Sequence, residues 1–598
     1  MSCRASLRAW AALLLLAACS HPPASAPPPT DLPALPAVRP AKASAPATAD
    51  DAAIAQAAHD YIELIVSISP ETGTALGDHT RDDALDAYTL EGDAAGVARE
   101  EAMLADLRAR LGSPRASLLA RTDLALIESA LSVDVRTRRE LKPLQRMPDA
   151  YIAPMNALFL QAAREYAPAA VRAKASLARI EKLPAALAPA RANLAAPPRV
   201  WVTVALEQAR AAGAFFDGER AFLVAALPDQ RARIDAAIAG AKKAYEGFAT
   251  LLERDVMPRA TGDFAAGRGL FEFLLRDGYF LTESPDALYD LGERVFDTTS
   301  AQMDAVARRI DPRAAGWPEI TRRLKGHHPT ADDLVPSYRR EVARARAFLA
   351  ARDVVPFPPG DDCQVEETPP FLRNVLTASY EVAPPLDPVT RGFFYVTPVD
   401  RTMPRARQEQ MLRENDHGDE VDTVVHETYP GHHLQLSFAR GNPSIIRKLS
   451  DAKRALLPGS NLFAEGWGLY AEELMSELGY YTDEERLMQL EWTLVRAARV
   501  MIDVGLHTRG MSFDEAVKIL TDRVHLEHEL AVSEVKRYTA EPTQPLSYLV
   551  GRERIFAMRD RYQRQAGAAY SLKAFHAALL SHGDIAQGLV EREMFGAE

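Results

Sequence analysis

The sequence predicts a mainly α fold, a large helical body interrupted by one small β element. Three observations lead there. Apolar residues recur at three- and four-residue intervals in stretches such as "QAAHDYIELIVSI", "RARIDAAIAGAKKAYEGFATLLERDV" and "PSYRREVARARAFLAARDV", with charges between them. Helix-start signals recur as well: Thr330 with Asp333, Thr482 with Glu485 and Ser512 with Glu515 each fit a capping box. Between about residues 354 and 399 the helical pattern gives way to proline, β-branched and aromatic residues, and "RGFFYVTPV" at 391–399 reads as a short strand.

With 598 residues, 47% of them hydrophobic, the chain can bury one large core or several smaller ones. A formal charge of −12 and a pI near 5.7 argue against nucleic acid as a partner, because phosphate binding needs a clustered basic surface. The first residues, "MSCRASLRAWAALLLLAACS", join Arg4 and Arg8 to an apolar run too short to span a bilayer. Residues 1–18 are therefore expected to be a signal peptide, and Leu16-Ala17-Ala18-Cys19 resembles a bacterial lipobox in which Cys19 is acylated. Ser20, where Asp would favour the inner membrane, points to an outer-membrane lipid anchor facing the periplasm. Residues 19–50 are Pro/Ala-rich without apolar period, as expected of an extended tether. A helical domain is expected from 51 to 598, with only Cys363 left as a free thiol and no disulfide needed at this size.

"HETYPGHH", residues 426–433, begins like the zinc signature H-E-x-x-H and then departs from it, since the residue four after His426 is Pro430. On a regular helix His426 and His433 share a face but stand about 10 Å apart along the axis, and His432 points roughly 120° away. Neither pair closes on one ion. Pro430 lacks an N–H and clashes with the preceding turn, while Gly431 tolerates unusual backbone angles. A bulge or kink at Tyr429-Pro430-Gly431 would absorb two extra residues and return a second histidine, His432 or His433, toward His426. The expected cofactor is Zn2+.

A catalytic zinc takes three protein ligands and keeps one position open. "NLFAEGWGLYAEEL" at 461–474 offers the third in Glu465, at the start of an apolar helix beside the small residues Gly466 and Gly468. Glu427 would then be the general base. Donors for a developing oxyanion are sought among His507, Arg537, Tyr538 and Tyr548, although Arg499, Asp503 and His507 share a helix face and could equally form a polar cluster. The strand holding Phe394 and Tyr395 is either an edge that pairs with an extended substrate, making these two residues substrate contacts, or a core strand. His525 and His528 match no common zinc spacing and read as a solvated face. No G-x-S-x-G elbow or Walker A loop offers a rival centre.

"HETYPGHHLQ", "EGWGLYAEEL", "RAARVMIDVGLH" and "EVKRYTAEPTQPLSYLVG", in that order, resemble the bacterial domain-of-unknown-function 885 family, which is grouped with glutamate-liganded zinc metallopeptidases. "SPETGTALGDH" at 69–79 and "RGFFYVTP" also look like its pattern. The resemblance implies a helical metallopeptidase-like fold whose β element lies beside a thermolysin-like zinc helix pair, with the metal core near 420–550. It implies His426 and Glu427 in their usual roles and Glu465 as third ligand. Matching "PGHHLQ" to the "GHALY" of related helical carboxypeptidases puts His432 at the second ligand position, and it makes His507, Tyr538 and Tyr548 substrate or transition-state contacts. The expectation is an exported, lipid-anchored zinc peptidase acting on small or unfolded peptides in the cell envelope. Two alternatives are a non-catalytic envelope lipoprotein that captures peptides or wall fragments, and a zinc amidase acting on a non-peptide amide. The oligomeric state is not legible.

Overall fold

Side-chain caps fix where several helices begin. The structure, a computed structural model, describes residues 48–111, 115–361, 363–368, 378–387, 391–449 and 458–596. The signal peptide, Cys19 and the tether through residue 47 lie outside the described residues. Helix α1 (Ala49–Ile68) starts two residues earlier than the sequence suggests, because Thr48 accepts from the Asp51 N–H at 3.0 Å. The capping boxes of Thr482 with Glu485 and Ser512 with Glu515 both form. The one expected at Thr330 does not: the helix begins later, at Leu334, and Asp333 turns instead to Arg340.

Three helices, Leu118–Leu141 (α2), Ala169–Leu187 (α3) and Arg199–Ala226 (α4), lead to Arg231–Leu251 (α5). Helices α3, α4 and α5 share a core of Leu177, Ile180, Leu183, Phe216, Leu223, Ile234 and Tyr245. Pro285–Ile310 (α6) belongs to a second core, and Leu334–Arg352 (α7) packs with α1 and α2 in a third. The third core also takes in the inner faces of the sheet and of the helices that follow it. All the described residues belong to one compact unit. None of the described helices is long and apolar enough to cross a membrane.

The β element is a three-stranded sheet of β1 (Cys363–Glu367), β2 (Ala378–Glu381) and β3 (Gly392–Val396), in the order β1-β3-β2. Strand β3 pairs parallel with β1 and antiparallel with β2, so Phe394 stands opposite both Val365 and Tyr380. This decides between the two readings of "RGFFYVTPV". It is the central strand, its backbone bonds are taken on both sides, and it has no free edge for a substrate. Phe394 is fully buried and meets the ring of Tyr338 edge-on at 5.6 Å, while Tyr395, only 8% exposed, stacks on Phe393. Neither is a substrate contact; a run of large apolar residues on both faces marks a strand covered on both sides.

Five more helices carry the candidate site: α8 (His417–Glu427), α9 (His432–Arg440), α10 (Pro458–Glu477), α11 (Asp483–Thr508) and, after α12 (His528–Ala540), α13 (Ser547–Ala566). Helix α11 is the spine of the second core, with buried residues all round it from Leu487 to His507. Helices α10 and α13 cross so closely that no side chain fits between them. A Cβ on Gly551 would lie 2.1 Å from the Leu462 carbonyl oxygen, and one on Gly466 would lie 2.5 Å from the Gly551 backbone. Gly551→Ala is therefore expected to lower unfolding free energy by about 1–3 kcal/mol or more. Gly213→Ala, on α4 with nothing within 4 Å of the new methyl, should raise it by about 0.5–1 kcal/mol. Urea unfolding of the two variants checks both signs.

Candidate metal centre

The stretch "HETYPGHH" does not stay one helix with a bulge in it. Helix α8 stops at Glu427, Thr428 turns out of helical geometry (φ −119°, ψ −83°), and α9 starts afresh at His432. The Tyr429–Pro430 peptide is cis. Gly431 donates to the Val425 carbonyl at 3.1 Å, and a Cβ there would lie 1.8 Å from the His426 carbonyl oxygen, so only glycine passes. The indole N–H of Trp467 donates to the Pro430 carbonyl at 2.7 Å and ties the turn to α10.

This turn brings His432, and not His433, back beside His426. The Nε2 atoms of His426 and His432 stand 3.5 and 3.4 Å from the same oxygen, Oε2 of Glu465. The two imidazoles are nearly perpendicular, with centroids 4.7 Å apart, and one ligand atom from each of the three residues falls within 4.8 Å of the others. His433 is engaged elsewhere. Its Nε2 pairs with Asp361 at 2.8 Å and its Nδ1 with the Tyr380 hydroxyl at 2.9 Å. Asp361 also accepts from Tyr429 and Arg346. Burial alone would raise the Asp361 carboxyl, but His433, Tyr429 and Arg346 together hold it below the usual range.

Helix α10 shapes the rest. Glu465, Gly468 and Glu472 follow at steps of three and four, so they line one face. A Cβ on Gly468 would lie 2.6 Å from the His426 ring, which therefore rests directly on the helix backbone. Glu472, fully buried, holds His426 Nδ1 at 2.7 Å and is itself bonded by Gln489 at 3.2 Å. Burial disfavours charge on His426, yet the Glu465 and Glu472 carboxylates outweigh it and lift the imidazole to about 10. Burial likewise works against the Glu465 carboxylate, and the two histidines pull it well below its ordinary value.

The three side chains fit zinc. Glu465 Oε2, the oxygen that both Nε2 atoms face, is buried without a hydrogen-bond partner among the described residues. Ligand atoms about 2.0–2.2 Å from one tetrahedral ion lie about 3.3–3.6 Å apart, which matches the 3.4 and 3.5 Å separations here. Two imidazole nitrogens and one carboxylate are a donor set of catalytic zinc, and the carboxylate behind the first histidine fixes its tautomer. Glu427, half-buried, is the neighbour of His426 at the end of α8.

The remaining candidates divide. Tyr548, half-buried, lies beside the triad, its ring 6.2 Å from that of His426 and inclined by 19°. Burial pushes its hydroxyl up, Glu465 adds to this, and Arg499, Arg537 and Arg496 oppose it. Tyr538 is fully buried; its hydroxyl donates to Glu534 and accepts from Arg499 at 2.7 Å. His507 Nε2 donates to the Tyr538 carbonyl at 3.0 Å, and its Nδ1 accepts from the Ala266 N–H at 3.1 Å, which leaves no ring atom for a substrate. Tyr538 and His507 are thus braces and not contacts with the reacting groups. Asp503, between Arg499 and His507 on α11, accepts from the Thr543 and Leu546 N–H groups, so this helix face holds the segment leading into α13. Arg537 bonds Gln544 at 2.9 Å and Glu534 at 3.3 Å and adds to the positive field at Tyr548. Sequence reasoning missed Glu472, Asp361 and Arg496. Glu472 could have been found from its seven-residue spacing to Glu465; Asp361 sits in a loop and carries no such signal.

The family model described as "Bacterial protein of unknown function (DUF885)" matches residues 70–594. The chain belongs to the DUF885 family. That match includes the triad, Glu427 and all the helices that hold them. Two solved structures share the fold of this DUF885 chain. One is a candidate lipoprotein of unknown function from Shewanella oneidensis, 24% identical with a TM-score of 0.75, covering 90% of this chain and 99% of its own. The other is a candidate lipoprotein from Colwellia psychrerythraea, 16% identical, also with a TM-score of 0.75, covering 91% and 98%. No curated protein matches the sequence.

Two predictions follow from these contacts. Elemental analysis of zinc-treated protein should find metal in the wild type and His433→Ala but not in His432→Ala. In Glu472→Ala, zinc affinity should fall about 10- to 100-fold by competition titration. Separately, burial lowers His507 to about 4. The unfolded chain, with a histidine near 6.5, then binds the extra proton first. Stability from this group is present above about pH 6.5 and is lost as pH falls toward 4, by about 3 kcal/mol. Urea midpoints of wild type and His507→Gln should therefore converge over that interval.

Proposed function

We propose that this chain is a zinc-dependent hydrolase of peptide bonds in small or unfolded peptides. The observation that carries the reading is the convergence of His426, His432 and Glu465 on one point, with the carboxylate of Glu427 next in sequence to the first ligand. A non-catalytic binding site has no need of that carboxylate. Zinc held by these residues would supply Lewis acidity and bring the pKa of water toward neutrality. Glu427 takes a proton from the attacking water and returns it to the departing amine. Tyr548, kept protonated at neutral pH by burial and by Glu465, donates to the oxygen on which negative charge develops. Glu472 holds the His426 ring in place through Nδ1.

A cell-envelope location, with a lipid anchor at Cys19, is part of the same reading. The lipobox-like Leu16-Ala17-Ala18-Cys19, the Pro/Ala-rich stretch after it and the likeness in fold to candidate lipoproteins support it. An anchored enzyme of this kind would work on peptides in the periplasm.

Glu427→Gln is expected to lose at least about 100-fold in hydrolysis of a mixed peptide library, the range of a positioned general base, while retaining the zinc content of the wild type. Mass spectrometry of the products and elemental analysis of the same samples give both readings. A variant as active as the wild type would remove Glu427 as the base.

A further inference from the structure

Three arginines surround Tyr548. The Arg499 guanidinium lies 4.7 Å from the centre of its ring and that of Arg496 5.6 Å, while Arg537 acts on its hydroxyl from α12. Two of the three are answered by the protein. Arg499 bonds Glu534 at 2.7 Å, and Arg537 shares that carboxylate and bonds Gln544. Although burial opposes it, Glu534 is held down at about 2 by Arg499 and Arg537.

Arg496 has no such answer. It is 8% exposed, yet among the described residues no carboxylate lies within salt-bridge distance of it. Its Nη1 reaches only the Trp492 carbonyl one turn back, at 3.5 Å, and its Nε is buried without a partner. Otherwise its guanidinium lies against the faces of Trp492, at 4.6 Å, and Tyr548. Asp422 attracts it across the α8–α11 interface, but no hydrogen bond or ion pair joins the two side chains among the described residues. A buried guanidinium without a directly bonded carboxylate is unfavourable unless an anion joins it. In a chain of net charge −12 this is not the by-product of a basic surface.

We propose that Arg496 receives a substrate carboxylate on the Tyr548 side of the metal centre, and that the protein takes peptides by their free C-terminus. The proposal rests on the hydrolase reading above for its catalytic half only. Arginine suits the task because its planar fork accepts a carboxylate through two parallel hydrogen bonds. The distance suits it too. Arg496 is 5.6 Å from the Tyr548 ring centre, which is 6.2 Å from that of His426. The guanidinium is thus no more than about 12 Å from a metal-ligand ring, the reach of about three to four extended residues at 3.3–3.6 Å each. Cleavage at the triad would release a short C-terminal fragment.

The test is calorimetric binding to the full-length Glu427→Gln protein, loaded with zinc, of three N-acetylated alanine tripeptides. One ends in a free carboxylate, one in an amide, and one in an amide with glutamate as its last residue. The free acid should bind at least about tenfold tighter than the plain amide. In Arg496→Gln that preference should shrink to about twofold or less, with unfolding curves showing the variant folded. If the variant does not fold, the ratio between acid and amide on the parent protein decides alone. Equal binding of acid and amide, or no binding of either, overturns the proposal. Tight binding of the glutamate amide moves the carboxylate to a side chain and overturns the C-terminal assignment. Hydrolysis by the wild type separates the two readings. Cleavage of acid and amide at one rate would leave a peptidase without this specificity, whereas acid-selective binding without any cleavage would leave the carboxylate site and remove the hydrolase.

Discussion

The contact on which the centre depends is the seating of the His426 ring on the bare backbone of α10 at Gly468. A side chain of any size there would push the imidazole away from both Glu465 and Glu472, which grip its two nitrogens from the same helix face. Two residues earlier, Gly466 lets α13 lie against α10 with no side chain between them. One short glycine-spaced segment therefore sets the position of the first histidine on one side and of Tyr548, three residues before Gly551, on the other. The low helix propensity of glycine is accepted because backbone proximity is what the geometry needs.

The buried polar groups around the triad fall into separate networks, each closed by its own partners. Asp361, His433, Tyr380, Tyr429 and Arg346 lock the start of α9 to the sheet and to α7. Arg499, Glu534, Tyr538 and Arg537 lock α11 to α12. Satisfied networks of this kind rigidify what they join, because each member left alone would be an unpaired polar group in an apolar surround. Rigid walls on both sides hold the ligand atoms apart at a separation that suits an ion and is too long for good hydrogen bonds. Glu465 Oε2, His432 Nδ1 and Arg496 Nε are among the buried atoms that keep no hydrogen-bond partner among the described residues.

Much of this was legible in the sequence. Helix periodicity and the caps at Thr482 and Ser512 gave the helical body, and the pairing of Pro430 with Gly431 marked the break between the two histidines. Glu465 was found through the small residues beside it. What the residues left open or misplaced has physical sources. Choosing between His432 and His433 needed the direction in which α9 restarts, which depends on Gly431 meeting the His426 carbonyl and on Trp467 reaching Pro430. Whether β3 was an edge or a centre depended on partners 18 and 29 residues away, since Val396 pairs with Ala378 and Gly392 with Cys363 only after the chain has folded back. His507 and Tyr538 have the right chemistry for a site, but their polar atoms are used up by backbone and neighbouring side chains that no local pattern reveals.

The turn between α8 and α9 sets this centre apart from one carried on a continuous helix. Where two histidines sit one helical turn apart, the helix itself spaces the ligands, and the motif keeps much of its geometry wherever that helix goes. Here the spacing is held by an indole from α10 and by the exclusion of any side chain at position 431. The ligand pair is a tertiary object. The segment 417–440 is accordingly not a portable cassette: grafted onto another scaffold without α10, it would carry the letters of a zinc motif and none of its spacing.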